Sequence, residues 1–217
     1  MTLHQELTGG AVGGVAIAAS PRGLTAIEHP TCAAAIWQRK PLDSFLNWIE
    51  ALPAHDLPKA RVILRPHDVR QAMTDVVQGY GLPDCDERTM LVDDVAALAQ
   101  IFAGVTEAPY LRLRLDVIST NACRKFHVDT LTARLICTYR GTGTQYGISS
   151  NGQDPERIFT ATTGSPIVLR GKLWPAETAP DLVHRSPLIE GTGETRLVLV
   201  LDPIISLEEA REEQFLH

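Results

Sequence analysis

In the segment CRKFHVDTLTARLICTY, His127 and Asp129 stand two apart at the mouth of an apolar run. On a β-strand, residues i and i+2 share a face, so an imidazole and a carboxylate at this spacing converge on one point, as a metal ion requires. A chain with seven histidines can also produce such a pair without any metal, so a third ligand is needed to give the pair meaning. His184, in LVHRSP, is the candidate, because it precedes the final strand pair, where closure of a barrel would return it to the first two residues. His4 and His217 are terminal, and His29, His55 and His67 lie near prolines in the helical half, where they read as surface or capping histidines. Two imidazoles and one carboxylate on one side of a metal leave coordination positions open to exogenous ligands.

Downstream of His184, Arg196 opens RLVLVLD. Alternation puts Arg196, Val198 and Val200 on one face of that strand and Leu197, Leu199 and Leu201 on the other. Both faces are apolar, which predicts burial on both sides, and an arginine there needs an anion. A dicarboxylate would serve; the alternatives are snorkelling at the strand end or pairing with Asp116 or Glu194. Arg112 and Arg114 alternate against Leu111, Leu113 and Leu115 in YLRLRLDVIS and read as a solvated face. The four cysteines, Cys32, Cys85, Cys123 and Cys137, form no CxxC pair and read as reduced, mostly buried thiols. GTGT at 141–144 lacks a P-loop lysine and reads as a hairpin turn. No serine stands in a GxSxG context, so a serine hydrolase of that kind is not supported. Trp174, ahead of His184, would either line a pocket or pack a long loop onto the core.

The elements that must hold these residues follow from the pattern of the chain. With 217 residues, 44% hydrophobic and 21% charged, the sequence fits one domain with a full core. Its formal net charge of -6 argues against a surface devoted to nucleic acid or anionic lipid. Residues 1–25 read as a loose leader: GGAVGGVAIAAS is diluted by glycine, and no Lys or Arg precedes it as in a signal peptide. No continuous apolar run reaches the roughly 18 residues of a membrane span, and the cytoplasm is the expected compartment. Residues 26–108 form a helical support, with helices predicted over PLDSFLNWIEAL, from about Asp68, and over MLVDDVAALAQIF; ARVILRP between the first two is a short buried strand. Residues 109–204 are the strand-rich core, including YLRLRLDVIS, LTARLICTY, GSPIVLRG and RLVLVLD. Residues 205–217, opened by the capping box of Ser206 and Glu209, are a last helix. The fold class is α+β: a jelly-roll core supported by N-terminal helices.

The HVD motif at 127–129, His184, and an arginine opening the next strand, in that order, resemble the iron(II) and 2-oxoglutarate-dependent dioxygenases. GSPIVLRG resembles the strand and glycine turn between their two metal-binding segments. The resemblance spans residues 110–202 and implies a double-stranded β-helix, the cupin-like form of the jelly roll. It implies His127, Asp129 and His184 as ligands of Fe(II) or another divalent metal. Arg196 would be the clamp for the far carboxylate of 2-oxoglutarate, with a hydroxyl added by Tyr139 or Thr138. Val198 departs from that pattern, which has a small polar residue two positions after the arginine. Most of the chain also resembles a bacterial family of unknown function, through CRKFHVD, TYRGTGTQY, LVHRSP and RLVLVLD. That second likeness brings no activity with it; the resemblance to the dioxygenases implies hydroxylation or demethylation of a small-molecule or protein substrate that the sequence does not identify. A non-catalytic jelly roll for zinc or iron handling and a scaffold without metal are the rival readings.

Overall fold

A computed structural model describes residues 13–175 and 181–208. The chain runs β1 (Val15–Ala18), a 3-10 segment (Pro21–Glu28), β2 (Ala34–Trp37), α1 (Asp43–Ala51), β3 (Ala60–Leu64), α2 (Val69–Gly79), α3 (Asp86–Thr106), β4 (Tyr110–Ile118) and β5 (Ala133–Arg140). It continues through β6 (Gln145–Ile148), β7 (Phe159–Thr160), β8 (Ile167–Arg170), β9 (Leu182–Arg185) and β10 (Arg196–Ile204). A seven-stranded sheet has the order β1-β2-β8-β5-β10-β4-β3, and a three-stranded sheet the order β7-β6-β9. The β1–β2 pairing is parallel and the others are antiparallel. The architecture is mixed α+β with a large antiparallel sheet.

Period-two alternation divides the large sheet into two faces. On one, Leu197, Leu199 and Leu201 of β10 join Leu113 of β4 and Leu135 of β5 in a core with the helices. The helices contribute the residues expected from their spacing: Phe45 and Ile49 of α1, Met73 and Val77 of α2, and Leu91, Val95, Leu98 and Phe102 of α3. Each leucine buried completely here is worth about 1.5–3 kcal/mol. On the other face, Ile136, Val198, Ile167 and Leu169 pack against Tyr146 and Leu182 of the small sheet. The burial of RLVLVLD on both sides is thus explained by helices beneath it and a second sheet above. α3 is long and apolar enough by composition to cross a membrane. Its apolar residues face the core, while its Asp93 and Asp94 pair with Arg70 and Arg39.

Several expectations need correction. The stretch read as a leader supplies β1 from residue 15 onward, and Val15 and Leu24 are buried. With β1, β2 and β3 in the large sheet, the N-terminal half supplies three of its strands. β3 is an edge strand rather than a buried one, with Val62 38% exposed. GTGT does not close a hairpin: β5 and β6 lie in different sheets, and the glycines let the chain cross between them. A side chain at Gly143 would collide with the carbonyl of Ala161. The proposed C-terminal helix falls almost wholly outside the described residues.

Candidate metal centre

His184 sits in β9, 5% exposed, and faces the space between the sheets. His127 and Asp129 lie in the irregular segment before β5, not in a strand as their spacing suggests. A single antiparallel bridge brings them in: the backbone N–H of His127 donates to the carbonyl of His184, and that of His184 to His127, each at 3.0 Å. This pairing sets the two imidazole centroids 4.5 Å apart. His127 Nδ1 lies 2.9 Å from the carbonyl oxygen of Lys125. A carbonyl can only accept, so Nδ1 carries the proton and Nε2 is left as the donor to a metal.

Asp129 lies between the rings. Its Oδ1 accepts a hydrogen bond from Arg134 Nη1 at 2.5 Å and stands 3.5 Å from His127 Nε2. Its Oδ2 is 3.2 Å from His184 Nε2. That contact lacks hydrogen-bond alignment, so Oδ2 is a buried carboxylate oxygen without a hydrogen-bond partner. Such an orphan is costly unless a ligand completes it. One ligand atom from each of the three residues lies within 4.8 Å of the others. With metal–ligand bonds near 2 Å, one ion can span atoms up to roughly 4 Å apart, so a small adjustment closes the set. The three side chains fit a divalent ion.

Their protonation suits that role. Burial favours the neutral acid at Asp129, but the two histidines and the Arg134 charge outweigh it and hold the carboxyl well below its usual range. The hydrogen bond that protonated His127 donates to Asp129 raises the pKa of His127, against its partial burial. Desolvation dominates at His184 and lowers its pKa, which keeps that imidazole neutral.

Three arginines of the large sheet share the cavity with His127 and His184. Arg114, expected on a solvated face, points under the small sheet instead and donates from Nη2 to Asp202 at 3.1 Å. Arg134 donates to both oxygens of Asp202, at 2.6 and 3.0 Å. Neither Arg134 nor Asp202 stood out in the sequence. The available signal was parity, because Asp202 shares the β10 face of Arg196 and Arg134 shares the β5 face of Ile136 and Thr138. Arg196 is 1% exposed. Its Nε donates to the Thr142 carbonyl at 2.6 Å and its Nη2 to Thr138 Oγ1 at 3.3 Å. Among the described residues no carboxylate forms an ion pair with it, since Glu194 is held by the backbone N–H and hydroxyl of Thr142. Burial, only partly offset by the charge of Glu194, lowers the pKa of Arg196 to about 10, so it remains a cation at neutral pH.

Tyr139 is not brought to this cavity. A bulge in β5 pairs Thr138 with Val198 and Arg140 with Leu197, and Tyr139 lies on the helix side. Its hydroxyl donates to Asp94 at 2.7 Å, and Asp94 also takes the fork of Arg39. Of the two suggested hydroxyls, Thr138 is the one beside Arg196. Trp174 packs on the helix-side core under Arg170 rather than lining the cavity. Cys32 and Cys137 are buried, Cys85 is half-buried and Cys123 is exposed at the cavity mouth, so the thiols are less uniformly buried than expected.

A family model described as "Protein of unknown function (DUF1826)" matches residues 18–202. No curated protein matches the sequence significantly. Among solved structures, the dioxygenase for auxin oxidation 1 of Arabidopsis thaliana, in a binary complex with 2-oxoglutarate, aligns with a TM-score of 0.55 at 8% identity, covering 91% of this chain and 94% of that one. The dioxygenase for auxin oxidation of rice aligns with a TM-score of 0.51 at 10% identity, covering 91% and 84%. At these identities the similarity is one of fold, shared with these two dioxygenases.

Proposed function

The chain belongs to the DUF1826 family, and from its cavity we propose that it is an oxygenase using Fe(II) and 2-oxoglutarate to hydroxylate or demethylate a second substrate. The observation that carries this reading is that the cavity lined by His127 and His184 of the metal cluster is also lined by Arg196, a buried arginine that forms no ion pair with a carboxylate among the described residues. A metal site alone would not need the second feature. In this reading the two sheets are the halves of a double-stranded β-helix and the helices brace the outer face of the larger one.

His127, Asp129 and His184 would hold the ion, leaving positions for cosubstrate and oxygen. Bound Fe(II) would supply the redox chemistry that couples decarboxylation of 2-oxoglutarate to succinate with oxidation of the substrate. The work of the chain is placement. The planar fork of Arg196 can take a carboxylate through two parallel hydrogen bonds. Val198 offers no hydroxyl where the dioxygenase pattern has one, but Thr138 is its partner in the register of β5 and β10. The neighbouring strand thus provides the hydroxyl that β10 lacks. Ile136, Val198 and Val200 line the same cavity and keep water from the reacting groups.

The test is anaerobic titration of the Fe(II)-loaded protein with 2-oxoglutarate, followed by succinate measurement on admitting oxygen. Stoichiometric metal with saturable 2-oxoglutarate binding and slow, substrate-independent succinate formation is the expected result. Metal retention without 2-oxoglutarate binding at millimolar concentration would replace this reading with a non-catalytic metal-binding jelly roll. Failure to retain any divalent metal would leave a scaffold.

A further inference from the structure

We propose that Arg134 and Asp202 are positioning residues for the metal carboxylate, holding Asp129 by Oδ1 so that Oδ2 is the oxygen presented to the ion. The inference rests on the metal centre proposed above. All three nitrogens of Arg134 are engaged: Nε and Nη2 grip Asp202, and Nη1 reaches Asp129 Oδ1. The side chains of Arg134 and Asp202 are 17% and 4% exposed. A buried ion pair of this kind contributes little net stability, because desolvation offsets most of the attraction. Packing therefore does not account for it, whereas its third contact leads directly to a ligand.

The geometry restricts Asp129 in a particular way. Without Arg134 the carboxylate could rotate about its terminal torsion, a soft degree of freedom. With Oδ1 tied, Oδ2 is fixed toward His184 and carries no hydrogen bond of its own. Asp202 in turn sets the orientation of the guanidinium and draws part of its charge, so that Arg134 does not simply neutralise Asp129. Asp202 also accepts from Arg114, which ties β4 into the same anchor. β10 carries Asp202 toward one end and Arg196 at the other, so a single strand buried on both faces spaces the carboxylate anchor and the cosubstrate clamp.

The experiment compares wild type with Arg134→Lys, Arg134→Leu and Asp202→Asn. Co(II) and Zn(II) affinities are measured by competition with a chromophoric chelator, together with the visible spectrum of the Co(II) form. Partners that orient metal ligands typically cost 10- to 100-fold in affinity when removed, and losses in that range are expected for Arg134→Leu and Asp202→Asn. Arg134→Lys should fall between, because it keeps the charge and loses the fork. The Co(II) bands should change in all three as Asp129 gains freedom, while 2-oxoglutarate affinity at saturating metal stays within a few-fold of wild type. A wild-type Co(II) affinity and spectrum in Arg134→Lys and in either other variant would overturn the proposal. Should Arg134→Leu fail to fold, Arg134→Lys and Asp202→Asn decide it. A wild type that binds neither ion overturns the metal centre itself, a result distinct from failure of the positioning role.

Discussion

Asp129 sits between two imidazoles whose acid–base behaviour is displaced in opposite directions, and this yields a signed prediction for the metal-free protein. Asp129 raises the folded-state pKa of His127 above its ordinary value. That group contributes stability that is fully present below the unfolded value near 6.5 and is lost as pH rises through the folded one. His184 behaves in the reverse sense: burial lowers its pKa, so it weakens the fold as pH falls below about 6.5. Replacing His127 by Gln should therefore cost more stability at pH 6 than at pH 8 in urea unfolding of the apo-protein. Equal losses at the two pH values would show that the Asp129–His127 contact does not survive in solution. Arg196 offers a prediction about ligand rather than proton. Losing one partner of a buried charge pair costs about 2–5 kcal/mol, so Arg196→Ala should weaken 2-oxoglutarate binding by roughly 30-fold to several thousandfold, with metal occupancy retained. Arg196→Lys should recover only part of that loss. If calorimetry finds equal 2-oxoglutarate affinity in wild type and Arg196→Ala, the arginine is structural. At this scale the nearness of His127 and Asp129 was legible in their two-residue spacing, although the segment is not a strand, and the burial of Arg196 was legible in the alternation of β10. Arg134 was not, because its meaning depends on Asp202, a residue distant in sequence whose carboxylate it reaches only in the folded sheet.

The elements that assemble the centre do so through backbone contacts no local pattern encodes. The sequence placed His127 and Asp129 on a strand, yet the segment pairs at one position only, and the partner is His184 itself. The segment is anchored from behind by the end of β8. Gly171 donates its N–H to Thr132 and Lys172 donates to the carbonyl of Asp129, at 2.8 and 2.9 Å. A Cβ at Gly171 would press into the backbone of Leu131 and come within 2.9 Å of the Asp129 carbonyl oxygen. Backbone cannot yield as a flexible side chain does. Gly171→Ala should therefore push the ligand turn away from β8, costing about 1–3 kcal/mol, as overpacking does, and weakening metal binding as well. Gly79→Ala is the control, since nothing lies within 4 Å of its position at the end of α2 and the change should be neutral or slightly stabilising. The prediction fails if Gly171→Ala matches that control in both thermal stability and Co(II) affinity. GSPIVLRG was recognisable as a strand ending in a turn from its β-branched residues and flanking glycines. Why its second glycine must be glycine was not, because the obstacle is the carbonyl of Leu131, far back in the chain.

At the scale of the whole molecule, the pattern that was easiest to read was the helix-side core, where 3.6-residue and two-residue periods meet in one layer. The N-terminal contribution was hidden, because GGAVGGVAIAAS combines glycine dilution with a strand only four residues long, too short for alternation to register. Yet β1 adds a parallel strand beside β2, and Leu24 in the following 3-10 segment is completely buried. The same region is pinned from below: Arg170, 6% exposed, donates to the carbonyls of Ile27, His29 and Pro30. If residues 1–25 were a dispensable leader, removing them would leave stability unchanged. The structure predicts otherwise. Deletion would remove the buried Val15 and Leu24 side chains, each worth about 1.5–3 kcal/mol, for a loss of at least ~3 kcal/mol. For a chain of this size that corresponds to a fall in Tm of roughly 6–12 °C. It would also convert β2 into an open edge, an invitation to strand pairing between copies. The truncated protein should therefore melt lower and aggregate at concentrations the full chain tolerates. The His127–Asp129–His184 cluster lies over β4, β5 and β10 rather than β1, so metal affinity of the soluble fraction should stay near wild type. Calorimetry and light scattering on the truncated and full-length proteins, with Co(II) titration of each, separate a structural role for β1 from a role in the site; an unchanged Tm after removal of residues 1–25 would return the segment to a leader.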